Sequence, residues 1–457
     1  TARSGRLKGR YQSASHTALD FQLGYSRGPW GRGGLGISID PIANKEPTEQ
    51  YGNFRLTQSG LPGNEWYVQL GLSSSEEVDK FDAGLLSDIL GIPPAQVPIL
   101  VPGQQDQKII GSAFDFTSNS LNFEFQKTNL LDGQHRTLWG LGYRKDMVKG
   151  RSVINTNDRE FMDTYRAYGN LEYRLFKNVL MNVGLTYEDN NFVKGKFSSR
   201  LGFNVTMAKG HVFKVAVAES WRQPYLAEHL HDVSIRLNDG SVLEQIQIST
   251  GKLDPERLRS FEVEYVGYWL SRKLLTEVKL FREEFERELE FVADPFYPEL
   301  ISLFNPGTIL DKNGGATEVM GFETGISWEF THQSRLWVSY AFSEVDQACQ
   351  ALAFRCAHEN DATPRHTASV LMSHNVGRGW EASLGYYYLD EMAWVFWGGD
   401  RESYGRVDMR IAKSFEFSGS RLKLELIGQN LGGDYHEFSQ TNVFETRTFV
   451  RATLQFH

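Results

Sequence analysis

The segment Tyr165–Leu175 reads YRAYGNLEYRL, and the character of its residues alternates from one position to the next. In an extended chain one face would carry apolar, aromatic or small residues, namely Tyr165, Ala167, Gly169, Leu171, Tyr173 and Leu175. The other face would carry Arg166, Tyr168, Asn170, Glu172 and Arg174. Successive side chains of a β-strand point to opposite faces, so this period of two predicts a strand with one apolar and one polar face.

The same alternation continues along the chain, for example in Val179–Tyr187 and Leu422–Leu426. The composition agrees with many strands, since there are 43 Gly, 30 Phe and 19 Tyr but only 14 Pro. Many alternating runs reach about 10 residues, the length that a tilted membrane strand needs, whereas soluble strands average about 5–6. No stretch of about 18 apolar residues occurs, which excludes a transmembrane helix. The sequence therefore predicts an all-β protein.

Charge and motifs exclude two classes of function. The net charge is −9, and basic and acidic residues are interleaved, so nothing favours binding to nucleic acid. Motifs for a nucleophile elbow, a P-loop or a zinc hydrolase are lacking, and the protein is predicted not to be an enzyme. No cofactor and no metal site are predicted either.

The connections between the predicted strands, about 19 of them, alternate between short and long. The short ones lie near residues 15–16, 59–64, 131–134, 176–179, 209–210, 271–274, 331–334, 377–380 and 418–421. The long ones are residues 28–49, 77–107, 148–162, 223–256, 293–319, 346–364 and 396–401, and residues 189–193 are a brief exception. Short periplasmic turns and long extracellular loops are typical of a transmembrane antiparallel up-and-down β-barrel. A soluble β-sandwich, the alternative, has no reason to sort its loops in this way.

Four stretches resemble the barrel domain of TonB-dependent outer-membrane receptors. They are ESWRQPYLAE at 219–228, LDPER at 253–257 followed by Ser260 and Glu262, TPRH at 363–366, and QNLGGDY at 429–435. The last strand ends on Phe456, as the terminal strand of such barrels does, although His457 follows it. The motif positions are expected to be structural: Pro224, Glu228, Pro255, Glu256, Ser260, Glu262, Asn430, Leu431, Tyr435 and Phe456.

The resemblance implies one barrel domain over residues 1–457, the C-terminal portion of a longer receptor. Complete barrels of this family have about 22 strands and a plugged lumen. Nothing in the sequence matches the plug, and an odd number of visible strands conflicts with an even-stranded barrel whose ends both lie in the periplasm. We therefore expect the plug and the first few strands to be missing. Whether these residues alone close a barrel is left open.

Candidate functional residues lie in the predicted extracellular loops. Cys349 and Cys356 are expected to form a local disulfide, as cell-surface cysteines do. His229 and His231 flank Leu230, and an extended chain would place both rings on one side, where they could hold a metal or haem iron; a solvated polar loop is the alternative. The candidate ligand-binding residues are Arg222, Tyr225, His229, His231, Trp394 and Trp397, with a simple aromatic girdle as the alternative for the tryptophans.

The function that the resemblance implies is TonB-dependent uptake of a scarce solute, most commonly a ferric siderophore or another iron chelate. The implied partners are TonB, which acts through the plug, the barrel-assembly machinery, outer-membrane lipid and the small-molecule ligand. The protein is expected to be a monomer in the outer membrane of a Gram-negative bacterium. The alternative is a plug-free passive porin, whose specificity would be set by the charges of its lumen.

Overall fold

A computed structural model describes residues 2–13, 16–32, 43–60, 63–78, 81–111, 115–294, 308–348, 360–394, 399–417, 419–437 and 439–456. In chain order, its strands are β1 (Arg3–Ser13), β2 (Thr17–Arg27), β3 (Trp30–Arg32), β4 (Ala43–Ser59), β5 (Glu65–Val78), β6 (Phe81–Leu85), β7 (Lys108–Gly111), β8 (Phe116–Leu131), β9 (His135–Gly150), β10 (Thr156–Phe176), β11 (Val179–Asn190), β12 (Lys196–Ala208), β13 (His211–Arg222), β14 (Asp232–Leu237), β15 (Val242–Ser249), β16 (Glu256–Trp269), β17 (Leu274–Asp294), β18 (Thr308–Thr331), β19 (Ser334–Ala348), β20 (His366–Gly377), β21 (Trp380–Leu389), β22 (Met392–Ala393), β23 (Asp400–Arg401), β24 (Tyr404–Phe417), β25 (Ser420–Gln429), β26 (Tyr435–Glu437), β27 (Ser439–Phe444) and β28 (Arg447–Phe456). The helices are α1 (Leu86–Leu90), α2 (Val97–Leu100), α3 (Arg151–Ile154) and α4 (Leu226–Leu230), with a 3₁₀ turn at Pro94–Gln96. Within these ranges no helix is long and apolar enough to cross a bilayer.

Nineteen of these strands form one antiparallel meander, the barrel wall, in which each strand pairs with the next one along the chain. They are β1, β2, β4, β5, β8 to β13, β16 to β21, β24, β25 and β28. The predicted all-β barrel architecture is thereby confirmed. Among the described residues no register joins β1 to β28, and the residues of β28 are exposed along its whole length.

The two ends of the wall differ as the sequence predicts. All nine short connections lie at one end, here called the turn end, and the long ones lie at the other, the loop end. One predicted loop is wrong, because β9 and β10 extend through most of residues 148–162 and only α3 and Asn155 separate them. Two others were predicted too long, since β4 begins at Ala43 inside the predicted loop 28–49 and β18 begins at Thr308 inside the predicted loop 293–319. The pairing of β9 with β10 is irregular between Thr156 and Glu160.

One face of the wall is apolar and exposed, and we call it the outer face. Its residues stand in rows across neighbouring strands, such as Val183, Leu201, Val217 and Phe261 on β11, β12, β13 and β16. In a soluble protein of this size such rows would form the core, but here Leu201, Val217 and Phe261 are all exposed. An apolar outer face that no other part of the described chain covers is what a lipid-facing barrel requires.

The opposite, inner face is polar and is linked across strands by charge and amide pairs. Lys214 on β13 contacts Glu264 on β16 at 2.9 Å, and Arg410 on β24 contacts Glu425 on β25 at 2.6 Å. The side-chain nitrogen of Asn170 donates to Asn182 at 3.0 Å. Polar pairs of this kind line the lumen of a barrel, where water is present.

Two of the long loops fold together at the loop end into what we call the loop layer. Strands β6 and β7 come from the connection after β5, and β14 and β15 come from the connection after β13; β7 pairs with β14. Its buried core consists of Leu86, Val97, Val101, Ile109, Leu237 and Leu243. Strand β15 then runs parallel to the first residues of β18, which connects the loop layer to the wall.

Candidate functional site

The segment that follows β13 turns inward over the end of the barrel. Pro224 cannot extend the ladder of β13 because it lacks an N–H, and α4 begins two residues later. The Glu228 carboxylate accepts a hydrogen bond from the Tyr225 backbone N–H at 2.7 Å, which satisfies a donor at the start of the short helix. The Arg222 guanidinium forms an ion pair with the same carboxylate at 3.1 Å.

Arg222 joins three elements at this point. Besides Glu228 it contacts the carboxylate of Glu256, the first residue of β16, and its guanidinium lies 5.5 Å from the centre of the Tyr225 ring. Glu256 also accepts a hydrogen bond from the Leu289 backbone N–H at 2.7 Å. Arg222 is thus engaged within the chain, and its contacts fix where α4 leaves the wall.

Helix α4 is anchored by an apolar cluster on the inner face near the loop end. Leu226 is buried against Val148, Val153, Ile154 and Met162, with Phe192 and Leu230 at the edge. His229 lies in the same place, is only 4% exposed, and stacks on Phe192 with 4.8 Å between ring centres. The anchoring holds Tyr225, which is 58% exposed, over the lumen.

The two histidines do not form the predicted pair. The extended geometry expected for them is wrong, because His229 belongs to α4 and its ring is buried. His231 follows the helix and hydrogen-bonds to the buried Asp311 carboxylate at 2.6 Å, while Gln247 donates to the other oxygen of Asp311 at 2.7 Å. Among the described residues no group of three or more potential metal ligands occurs.

Two adjoining cavities lie beneath Tyr225, and together we call them the mouth cavity. Their volumes are about 320 Å³ and 400 Å³, and Arg144, Asp146 and Tyr225 line both. His231 lines the upper cavity, and Gln223, Arg166 and Glu188 line the lower one. A space of this size, with both signs of charge and an aromatic ring at its rim, suits a polar organic solute.

Gln223 is the residue of the mouth cavity with unused hydrogen-bonding capacity. Both its side-chain nitrogen and its side-chain oxygen are buried, and neither has a hydrogen-bond partner in the described structure. A buried amide without partners is costly, at about 1–3 kcal/mol, unless a ligand or water satisfies it. The amide can donate to one group of a bound solute and accept from another.

The inner wall below the mouth cavity continues the polar surface. Tyr67 and Tyr168 both donate to the Glu124 carboxylate, at 2.6 and 2.7 Å, and Arg166 approaches it at 3.4 Å. This network connects β5, β8 and β10 across the wall. It gives the lumen below the cavity a fixed arrangement of hydroxyl and charged groups.

The structure brings together only part of the predicted ligand-binding set. Tyr225 and His231 line the mouth cavity, whereas Trp394 lies near Gly399, whose carbonyl accepts the Trp394 backbone N–H at 3.3 Å. Trp397, Cys349 and Cys356 lie outside the described residues. Sequence reasoning missed Gln223, Arg144, Asp146 and Arg166; their signal was a polar side chain on the inner face near the loop end of a strand.

The structural motif positions are engaged as follows. Pro224 and Pro255 are fully buried, and Glu262 lies 3.8 Å from Lys279 on the inner face. Asn430 has a left-handed backbone, and its side chain donates to the Phe444 carbonyl at 2.7 Å. Tyr435 stacks on Tyr404 with 4.0 Å between ring centres. Ser260 lies on β16 opposite Ala218, and the Leu431 backbone N–H donates to the Val407 carbonyl at 2.8 Å. Phe456 lies on β28 opposite Ser420 and is exposed on the outer face.

We expect the packing of α4 to weaken in acid. Burial lowers the pKa of the His229 imidazole below its ordinary value, so the ring is neutral in the packed state. An unpacked segment would take up a proton near the ordinary histidine pKa of about 6.5. The stability from His229 is therefore present above this pH and is lost as the pH falls below it. Protection factors of residues 226–230, obtained from hydrogen exchange at about pH 7.5 and about pH 5, measure the loss.

A His229→Phe variant is the control for this expectation, since phenylalanine keeps the stacking on Phe192 but cannot be protonated. It should make the protection factors of α4, the exchange rates corrected for intrinsic exchange, independent of pH over the same range. If the variant retains the acid sensitivity, protonation of His229 is not its cause.

Comparison with known proteins gives a consistent result. The family model described as TonB dependent receptor-like, beta-barrel, matches residues 3–431. No curated protein matches the chain. Among solved structures, a mutant of the ferric enterobactin receptor PfeA from Pseudomonas aeruginosa is similar, with 12% identity, a TM-score of 0.71, and coverage of 99% of this chain and 69% of that one.

Two further structures resemble the chain to a similar degree. The FrpB iron transporter from Neisseria meningitidis has 13% identity and a TM-score of 0.70, covering 100% of this chain and 72% of that one. The copper transporter OprC has 13% identity and a TM-score of 0.69, covering 100% and 71%. At such identities the likeness concerns the fold.

Proposed function

Because the chain belongs to the family of TonB-dependent receptor-like β-barrels, we propose that it serves TonB-dependent uptake of a scarce solute across the outer membrane. Residues 1–457 would act as the barrel unit of such a receptor, with the loop end facing outward. A receptor family agrees with the prediction that the protein is not an enzyme. The observation that carries the proposal is the mouth cavity, whose lining includes the unsatisfied amide of Gln223.

We further propose that the solute is a ferric siderophore or another iron chelate. Such ligands carry many oxygen groups, which the Gln223 amide can bind. Arg144 and Arg166 each contact a carboxylate, Asp146 at 2.8 Å and Glu124 at 3.4 Å, and their remaining N–H groups can donate to the same oxygens. Similar barrels include a ferric enterobactin receptor and an iron transporter, which supports iron as the cargo, although a copper transporter is also among them. TonB would drive uptake, and the barrel-assembly machinery would insert the monomeric barrel into the membrane.

The test is uptake of radiolabelled ferric chelates by a strain that lacks the gene, complemented with the full-length gene. A double variant, Gln223→Ala with Tyr225→Ala, should lower uptake about tenfold or more, since it removes the amide contacts and the aromatic rim. Tyr11→Ala is the matched control, because Tyr11 is 66% exposed and lies on β1, away from the cavity. The amount of each protein in the outer-membrane fraction is measured in parallel.

The outcomes separate the proposals. If uptake of a panel of iron chelates is the same with and without the gene, iron is not the cargo. If uptake persists after TonB is deleted, and unrelated small sugars enter equally well, the passive porin replaces the receptor. If the protein does not fractionate with the outer membrane, the proposed location fails as well.

A further inference from the structure

The outer face of the wall carries a groove that the proposed uptake path does not use. Its volume is about 770 Å³, and its lining includes Leu23, Gly52, Leu72, Leu121, Lys145 and Arg159, which define what we call the outer groove. The strands that contribute these residues are β2, β4, β5, β8, β9 and β10. All of them lie in one half of the wall.

The register places the groove on the lipid-facing side. A single row crosses six strands in the order Leu23, Gly52, Leu72, Leu121, Lys145 and Asp163. Leu23 and Leu72 are exposed members of the apolar outer face. Gly52 has no side chain between them, and a Cβ there would lie 3.3 Å from Leu23 Cδ2, so glycine is what forms the dent.

The charged rim of the groove begins at Lys145, in the same row as the apolar floor, and extends toward the loop end at Arg159 on β10. Lys145 lies 3.3 Å from Asp163 and its ammonium stands 4.8 Å from the centre of the Phe161 ring. Arg159 is two residues closer to the loop end than Phe161, is exposed, and has no ion pair among the described residues. The rim therefore carries one positive charge more than it carries negative charge.

A second groove on the same outer face differs from the first in how its outward-facing arginines are paired. Its apolar lining is Val183, Leu185, Leu201, Val217 and Phe261. There, however, Arg259 lies 3.7 Å from both Glu219 and Glu284, and Arg282 lies 3.0 Å from Glu284. Arg259 and Arg282, the outward-facing arginines of the second groove, are therefore both paired with carboxylates. Arg200 also borders this groove, but it precedes the outward-facing Leu201 on β12 and so belongs to the inner face.

We propose that the outer groove binds a phosphate-bearing lipid of the extracellular leaflet, with its acyl chains on the floor and its phosphate on Lys145 and Arg159. The apolar floor below a basic rim matches the order of chain and headgroup in a lipid that hangs from the outer surface. Free phosphate would make no contact with the apolar floor, and an uncharged lipid would make no ion pair with Arg159. This inference rests on the proposed outer-membrane location with the loop end outward.

The experiment measures binding of diphosphorylated lipid A to the purified full-length protein in detergent, by native mass spectrometry. Each basic residue near an anionic lipid surface contributes about 1 kcal/mol, or roughly a fivefold change in affinity. Arg159→Ser should therefore weaken binding about fivefold, and Lys145→Ser together with Arg159→Ser should weaken it more. Dephosphorylated lipid A should bind the parent protein as weakly as diphosphorylated lipid A binds the double variant.

Two further variants make the test specific. Gly52→Leu fills the dent without changing any charge and should also weaken lipid A binding about fivefold or more, on the order of one buried apolar side chain. Lys127→Ser is the matched control, because Lys127 is an exposed lysine on the outer face of β8 close to the turn end, where Trp66 and Trp139 are its neighbours. It should leave binding unchanged.

The result that overturns the proposal is equal affinity of Arg159→Ser and the parent protein, or an equal loss in Lys127→Ser. Competition by inorganic phosphate that Gly52→Leu does not affect would indicate a simple anion site instead of a lipid site. Slower electrophoretic migration of unheated samples identifies any variant that is unfolded, and only folded variants are scored. Uptake of ferric chelates is measured separately, so failure of the lipid site and failure of the proposed function are distinguishable.

Discussion

Replacing Leu243 with alanine should unfold the loop layer while the barrel wall stays intact. Leu243 is completely buried in the apolar core that the two loops share. Truncating a buried leucine to alanine costs about 2–5 kcal/mol. The loop layer is a small unit with few buried side chains, so a loss of this size is comparable with its whole local stability.

Limited proteolysis of intact cells measures this effect. The Leu243→Ala variant should be cleaved in residues 81–111 or 232–249, whereas the parent protein should resist, and both should migrate as folded barrels without heating. Leu100→Ala is the matched control, because Leu100 belongs to α2 in the same layer but is 55% exposed. Equal protease resistance of Leu243→Ala and the parent would show that the shared core does not hold the layer together.

Replacing Gly321 with alanine should prevent the wall from forming. Gly321 lies in the middle of β18 and pairs with Phe281 on β17 and Ser343 on β19. A Cβ at this position would meet the backbone oxygen of Phe342 at 2.1 Å and a ring carbon of Phe281 at 3.0 Å. The ring can move, but the carbonyl belongs to the neighbouring wall strand, so the ladder itself must shift. We expect a cost above about 3 kcal/mol, which is large for any single substitution.

The fraction of the protein that reaches the outer membrane as a folded barrel is the measurement. Gly71→Ala is the matched control, since Gly71 also lies on the inner face between two wall strands. A Cβ there would meet Asn122 at 3.7 Å, an ordinary contact, and the variant should fold normally. Adding Phe281→Leu to Gly321→Ala should not restore folding, because the backbone contact would remain. Normal yield of Gly321→Ala would contradict the expectation.

The number and order of the wall strands could be predicted because both depend on local features. Alternation marks each strand, short polar turns mark one end, and antiparallel neighbours follow each other along the chain. Alternation fails as a guide at residues 148–162, because polar residues such as Asn157 and Asp158 suggest a loop although they belong to β10.

The content of the long loops could not be predicted for a different reason. Strand β7 pairs with β14, more than a hundred residues later, and nothing in either short segment identifies its partner. The His229 ring likewise packs against Phe192, which belongs to the connection between β11 and β12. The sequence motif identifies Arg222 and Tyr225 as candidates. Only the three-dimensional structure shows that the Gln223 amide is buried at a cavity without hydrogen-bond partners.

The length of β18 has a mechanical consequence. This strand has 24 residues and would span about 80 Å at about 3.3 Å per residue. Its first residues pair with β15 in the loop layer, its middle is hydrogen-bonded on both sides within the wall, and its last residues reach the turn end. The loop layer is therefore attached to the wall at two places, along β15 and at the start of β14, where Ile154 and Asn155 contact Asp232. A force on the β6–β7 edge would load both attachments, namely the pairs Gln247–Ile309 and Ser249–Asp311 and the hydrogen bond from Asn155 to Asp232.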